Sequence, residues 1–316
     1  MPGHTMVVAL GGNALAPAGE SGTIASQFRH TRESLAPIVD LAREGWRIAI
    51  VHGNGPQVGD SLARNELAAS EVEPLPLGVL VAETAGWIGY MIQQSLQNAL
   101  ERARVDRAVV TLITQTLVAQ DDPRLAKPVK PIGHELTAER RAALERRGEP
   151  VGKDKAGRWR RLTASPAPID VVEAPMVRLL VEAGAIVVAA GGGGPPVYRD
   201  PVLRIEGVDA VVDKDRTAAI LARELDAELL LVLTDVEAVE RDYGTDRAAP
   251  IRRMSTAEAE ILLREGQFAD GSMRPKVEAA ISFVRGGGAR AVITALGSGL
   301  AAIRGETGTT IVAEER

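Results

Sequence analysis

With 316 residues, 45% of them hydrophobic, the chain has material for one large α/β domain or two lobes and is not a disordered polymer. Aromatic residues are only 3%, so the core is built from Val, Leu, Ile and Ala, and an aromatic platform for single-stranded nucleic acid is not expected. A net charge of −5 with dispersed Lys and Arg makes nucleic acid a poor partner, and the lack of cysteine removes disulfides, thiolate metal sites and Cys nucleophiles together.

Short β-type runs alternate with longer helical patterns along the chain. Strands are expected at 6–10, 46–51, 108–113, 185–189, 228–233 and 291–294, with 310–312 as an added edge. Helices follow the first strand as far as Arg43 and the second as far as Arg104, then recur at 171–182, 213–225, 256–264 and 275–285. This rhythm implies βαβ units and a mostly parallel sheet covered on both faces.

The segment 120–168 breaks the rhythm, being rich in Pro, Gly, Lys and Arg, with one short helical stretch at 137–147. A stretch of this length is expected to be a functional insertion or lid rather than a plain connection. The helix over 77–102 carries one apolar stripe in Leu80, Val81, Ile88, Ile92 and Leu96 and a second face in Val79, Gly86, Trp87 and Tyr90. Two apolar faces predict either a central helix or one shared with a second copy of the chain, and a homodimer around Trp87 and Tyr90 is the preferred reading. No membrane span is expected, because the most apolar stretch, 75–91, is broken by Pro76 and Glu83; with no basic and apolar leader at residues 1–8, a cytoplasmic protein is expected.

Four glycine-rich turns follow apolar strands: Gly11, Gly12 and Asn13; Gly53, Asn54, Gly55 and Pro56; the run 191–194; and Gly271 ahead of a helix opening near Pro275. Singly, each reads as simple chain reversal. At the carboxyl ends of parallel strands, however, four such turns let backbone N–H groups meet an anion. The nearest dinucleotide fingerprint, Gly53, Gly55 and Gly59, has one residue too many and follows the second strand, and no turn ends in Gly-Lys followed by Ser or Thr.

Two lysines sit where a helix disfavours them. Asp213 and Asp215 suit the positive end of the helix they open, whereas Lys214 does not, and Lys276 repeats the mismatch one residue after Pro275. Both become favourable if a polyphosphate lies between them. The four histidines show no metal-ligand spacing and no Ser/His nucleophile arrangement is present, so direct transfer between bound substrates is expected.

Seven motifs narrow this reading: VVALGGNAL at 7–15, VHGNGPQVG at 51–59, KPIG at 130–133, AAGGGGPPV at 189–197, VDKD at 212–215, LTDVEAV at 233–239 and GSMRPKVEAA at 271–280. In order and over nearly the whole chain, they resemble carbamate kinases of the amino acid kinase superfamily. HGNGPQVG and the KPIG insertion are the most specific of them.

The resemblance implies an open αβα sandwich with a protruding insertion subdomain. Residues 1–170 would form an acceptor lobe that includes a lid at 120–168, and 171–316 would form a nucleotide lobe. Gly11, Gly12, Asn13, Gly53, Asn54 and Gly55 would face carbamate and the transferring phosphoryl group. Gly192, Gly193, Thr234, Asp235, Val236, Tyr243, Met273 and Pro275 would belong to the nucleotide site. Lys214, Asp215 and Lys276 would surround the phosphates, and Lys130 would reach them from the lid, supplying the cation that related kinases carry in the first glycine turn. The implied activity is reversible transfer between ATP and carbamate, with Mg²⁺ held mainly by the nucleotide phosphates rather than by a protein metal site, and a setting in arginine metabolism.

Several positions depart from the family pattern: Arg274, Thr84 and Ala85, His134 and Glu135, and Glu240, where a tyrosine is common and Tyr243 is a candidate substitute. These affect nucleotide preference and lid contacts. Two other functions remain at this point: an amino acid kinase for a different small acid, and a regulator that binds ATP without turnover.

Overall fold

Thr5–Leu10 (TMVVAL), Arg47–His52 (RIAIVH) and Leu229–Thr234 (LLLVLT) are nearly continuous apolar runs, as expected of strands covered on both faces, and they lie side by side at the centre of one sheet. The computed structural model describes residues 4–12, 15, 22–269 and 272–314. Among these, the main sheet has eight strands in the spatial order Arg253–Ser255, Thr309–Val312, Arg290–Ala295, Leu229–Thr234, Thr5–Leu10, Arg47–His52, Ile186–Val188 and Val109–Thr111. All neighbours run parallel except Arg290–Ala295 and Thr309–Val312. The expected α/β architecture, an open αβα sandwich around a mostly parallel sheet, is therefore present.

Strand alternation divides the core into two layers. Val7, Ala9, Leu230 and Val232 point to one face, where Ala218 and Leu221 of the helix Lys214–Glu224 and Val277 and Ala280 of the helix Met273–Arg285 cover them. Met6, Val8, Leu10, Leu229, Leu231 and Leu233 point to the other, against Ile38 and Leu41 of Ala36–Arg43 and Ile88, Ile92 and Leu96 of Leu77–Arg102. The sheet is thus dry on both sides, and its glycine turns emerge at the carboxyl ends of its strands.

The structure differs from the sequence reading in several places, among them an unexpected antiparallel pair of Val239–Arg241 and Ala249–Ile251. The strand Thr309–Val312 is not an edge, because Arg253–Ser255 pairs outside it. Those three residues run straight into the capping box of Ser255 and Glu258, which dominates the local pattern. A second, four-stranded sheet of Arg204–Gly207, Pro196–Asp200, Thr116–Val118 and Pro168–Val171 was not anticipated.

The insertion, expected to hold little order beyond one helix, contains an antiparallel sheet of Lys130–Ile132, Trp159–Thr163 and Val151–Lys153 beside the helix Ala138–Arg146. Thr137 caps that helix by accepting the Arg140 N–H at 3.3 Å, and the Arg141 guanidinium lies 4.3 Å from the Trp159 ring centroid. Glu66, on the body helix Gly55–Leu67, accepts from Arg140 at 2.8 Å and Arg161 at 2.9 Å and so ties the insertion to the body.

On Leu77–Arg102, the stripe Leu80, Val81, Ile88, Ile92 and Leu96 is fully buried. Its second face is divided: Trp87 packs partly into the core, whereas Val79 is 47% and Tyr90 56% exposed. Among the described residues no helix is long and apolar enough to cross a membrane.

Candidate active site

The carboxyl ends of Thr5–Leu10, Arg47–His52 and Leu229–Thr234 deliver three turns to one place. The Gly11 N–H donates to Leu233 O at 3.0 Å and the Gly53 N–H to Leu10 O at 3.1 Å, so adjacent strands fasten the first two glycine turns to each other. Gly53 has no room for a side chain there: a Cβ would lie 3.0 Å from the Gly12 nitrogen and 3.2 Å from the Lys214 side chain.

Asp213 begins the helix Lys214–Glu224, accepting the N–H groups of Asp215 at 3.1 Å and Arg216 at 3.2 Å. Asp215, in the helix's first turn, is 3% exposed and accepts from Lys214 Nζ at 2.6 Å and Lys276 Nζ at 3.3 Å. Burial pushes the Asp215 carboxyl up, but the two ammonium groups outweigh it and hold the carboxyl below its ordinary range. One buried carboxylate thereby fixes two lysines contributed by different helices.

Lys214 and Lys276 lie on the walls of two adjoining cavities, with Gly12 as a third shared residue. The first cavity, of about 340 Å³, also takes Gly11, Thr234, Asp235, Val236, Tyr243 and Met273 into its wall. The second, of about 750 Å³, takes Gly53, Asn54, Gly55, Lys130, Gly192, Asp215 and Pro275. Lys130 reaches it from the insertion, with Nζ 3.8 Å from the Asp213 carboxylate. A slot on one side and a cationic chamber on the other therefore meet at two ammonium groups and backbone glycine, an arrangement that can hold two anionic ligands with their charged ends together.

Most of the residues singled out from the sequence meet here. Gly192 and Pro275, assigned to the nucleotide group, line the larger chamber, while Gly193 lines neither cavity. The Gly193 carbonyl accepts from the hydroxyls of Thr116 at 2.6 Å and Thr217 at 3.1 Å, so this glycine holds the turn in shape. Asn13 and Gly271 lie outside the described residues.

Other residues at the site were not foreseen. His134, Arg158 and Arg160 of the insertion line the chamber. Arg160 donates to Gly133 O and to Asp154 at 3.3 Å, and His134 pairs with Asp60. The signal for Arg158 and Arg160 was an arginine-rich run, RWRR at 158–161, indistinguishable in sequence from a solvated loop, whereas His134 stood out only as a departure from the family pattern. His52 is fully buried at the end of its strand, with Nδ1 3.0 Å from Gly53 O and no partner at Nε2. Desolvation lowers its pKa to about 4 despite backbone contacts to Gly53 and Ala85, so the ring is neutral.

The fold together with this two-cavity cationic site defines a phosphoryl-transfer enzyme, and residues 4–295 match the Amino acid kinase family; the chain belongs to that family. Within it, the chain is 42% identical to a carbamate kinase of Pyrococcus horikoshii, covering 97% of this chain and 98% of that protein. It is 45% identical to a carbamate kinase of Halobacterium salinarum, covering 97% of both. A solved carbamate kinase from Giardia lamblia bound to AMP-PNP superposes with a TM-score of 0.92 at 34% identity, covering 99% of each chain.

Proposed function

We propose that this chain is a carbamate kinase, carrying out the reversible conversion of carbamoyl phosphate and ADP to carbamate and ATP. The observation that carries this reading is the junction of the two cavities at Lys214, Asp215 and Lys276. In the ATP-consuming direction a carbamate oxygen forms a bond to the γ-phosphorus while the bond to the β,γ-bridging oxygen breaks and ADP leaves. No covalent enzyme intermediate is required.

The smaller cavity is the nucleotide site, with phosphates toward Gly11, Gly12, Lys214 and Lys276. The chamber under the insertion holds carbamate or carbamoyl phosphate against Gly53, Asn54 and Gly55. Lys214, Lys276 and Lys130 neutralise charge spreading over the transferring group, and Asp215 orients the first two. In this reading 1–170, with its lid at 120–168, serves the acceptor and 171–316 the nucleotide.

Mg²⁺ would accompany the nucleotide and screen its phosphate charge. The donor set fits an ion held mainly by phosphate oxygens, because Asp215 is already committed to two ammonium groups. The same reading includes a cytoplasmic homodimer formed through the helix carrying Trp87 and Tyr90, and a place in arginine metabolism. Supporting the dimer are the exposed Val79 and Tyr90 on one helix face.

The decisive experiment supplies carbamoyl phosphate, ADP and Mg²⁺ and follows ATP formation, beside a panel of other acyl phosphates. ATP formed preferentially from carbamoyl phosphate is the expected result. Preference for another acyl phosphate, or tight ADP binding without turnover, would overturn the assignment.

A further inference from the structure

The nucleotide cavity contains two carboxylates that the phosphate chemistry does not use, Asp235 and Glu240. Glu240 sits in the strand Val239–Arg241, where Val239 is fully buried in the core; strand alternation turns the next side chain the other way, into the cavity wall. The other charged groups on that wall have partners: Lys214 and Lys276 are on Asp215, and Asp235 accepts from the Thr234 hydroxyl at 3.0 Å. Gln267, a polar neighbour in the same wall, is also committed: its Oε1 accepts the Asp242 N–H at 2.8 Å and its Nε2 donates to the Asp242 carboxylate at 3.3 Å. Glu240 alone among the described charged lining groups has no hydrogen bond or ion pair.

An ionised carboxylate only accepts hydrogen bonds, and it repels phosphate. Its partner in a bound nucleotide is therefore a donor remote from the phosphates, either a ribose hydroxyl or an amino group on the base. The cavity separates these two. Ala238 and Phe268 are buried at 6% and 5% exposure and, with Val236 and Met273, make an apolar slot suited to a flat base. Glu240 is half-buried and lies close in the chain to Tyr243, which lines the same cavity and is 65% exposed, so this part of the wall reaches water, as a bound sugar commonly does.

Building on the carbamate kinase reading, we propose that Glu240 binds the vicinal 2′- and 3′-hydroxyls of the nucleotide and makes this enzyme selective for ribonucleotides. Two hydroxyls can donate to the two carboxylate oxygens together, a pairing that a deoxyribose cannot complete. Such acidic recognition of a ribose hydroxyl recurs in dinucleotide sites of other folds.

The test measures binding of ADP, 2′-deoxyADP, 3′-deoxyADP and IDP to the wild type, Glu240→Gln and Glu240→Ala by calorimetry, alongside ATP formation. We expect the wild type to favour ADP over either deoxy analogue by roughly 10-fold or more, the size of one lost charge-assisted hydrogen bond. In Glu240→Ala that preference should fall to near unity because ADP binding weakens while binding of the deoxy analogues changes little, and Glu240→Gln should lie between. Preservation of the ribose preference in Glu240→Ala would overturn the inference while leaving the kinase reading intact. So would a collapse of the preference for ADP over IDP instead, since the carboxylate would then be reading the base. If the wild type bound no ADP, this inference and the kinase reading would fall together.

Discussion

The Lys130 ammonium, from the insertion, lies 3.8 Å from the carboxylate of Asp213, the residue that caps the helix carrying Lys214 and Asp215. The insertion is thus in electrostatic contact with the start of the helix that carries both of those residues. Replacing Lys130 with Ala should lower kcat by roughly 10²–10³, as loss of one preorganised donor does, with ADP affinity little changed. Lys130→Arg keeps charge without the compact ammonium and should recover only part of the rate. Lys127→Ala is the control. Equal losses in Lys127→Ala and Lys130→Ala would show that Lys130 has no special place in the chemistry.

Asp215→Asn removes the counter-charge that positions two lysines. Leaving two close ammonium groups uncompensated in a mostly buried site should cost more activity than either Lys214→Ala or Lys276→Ala alone, and each lysine variant should weaken ATP binding. Calorimetry with ATP and steady-state rates for all three variants check this; unaltered affinity in both lysine variants would refute the shared phosphate site.

A Cβ added at Gly59 would stand 2.6 Å from the Cα of Gly133, where the insertion meets the helix Gly55–Leu67. Backbone atoms cannot yield as a flexible side chain does. Gly59→Ala should therefore lift the insertion from the body, reduce turnover at least as much as Lys130→Ala, and increase protease cleavage within 120–168. Normal turnover and unchanged cleavage would mean that the contact is slack.

Acid should destabilise the protein partly through His52. Its folded pKa, about 4, is below its ordinary 6.5, so the unfolded chain gains the proton first. The stabilising contribution is complete above the ordinary value and is lost as pH falls from there toward the folded value, reaching about 2 kcal/mol of loss by roughly pH 5. Asp215, depressed below an ordinary 3.8, adds its own loss only at lower pH, as the carboxyl takes up a proton. Urea unfolding of wild type and His52→Gln near neutrality and near pH 5 should show a smaller drop for the variant. Equal drops would assign the acid sensitivity to other groups.

Association through the helix Leu77–Arg102 should be sensitive to charge at Tyr90, whose ring lies edge-on to Phe28 at 6.0 Å between centroids and is 56% exposed. Tyr90→Glu should sediment as a monomer where the wild type sediments as a dimer. Because Trp87 is partly buried in the core, Trp87→Glu should also lower the melting temperature, separating the two faces of that region. A monomeric wild type at micromolar concentration would refute the interface.

The main sheet was legible because its strands are buried on both faces and read as unbroken runs, Leu229–Thr234 most clearly. The glycine turns and the misplaced Lys214 and Lys276 pointed to an anion site because their residue types conflict with local propensity, and such conflict is visible without coordinates. The second sheet was hidden because its strands, such as Thr116–Val118 and Arg204–Gly207, are three to five residues long with mixed burial. The parts played by Arg160 and His134 were equally hidden. They depend on contacts with Asp154, Gly133 and Asp60 across a folded insertion, and no periodicity records such contacts.

That both cavities share Lys214 and Lys276 has a thermodynamic consequence. In the proposed reaction two anionic ligands would draw on one small reservoir of positive charge, so occupancy of either cavity would lower the electrostatic attraction available to the other. Linkage makes the penalty identical whichever ligand arrives first. The reactant pair would consequently be held less tightly than its members' separate affinities suggest. Weak simultaneous binding, in this arrangement, would aid turnover by keeping the doubly occupied enzyme from becoming a resting state.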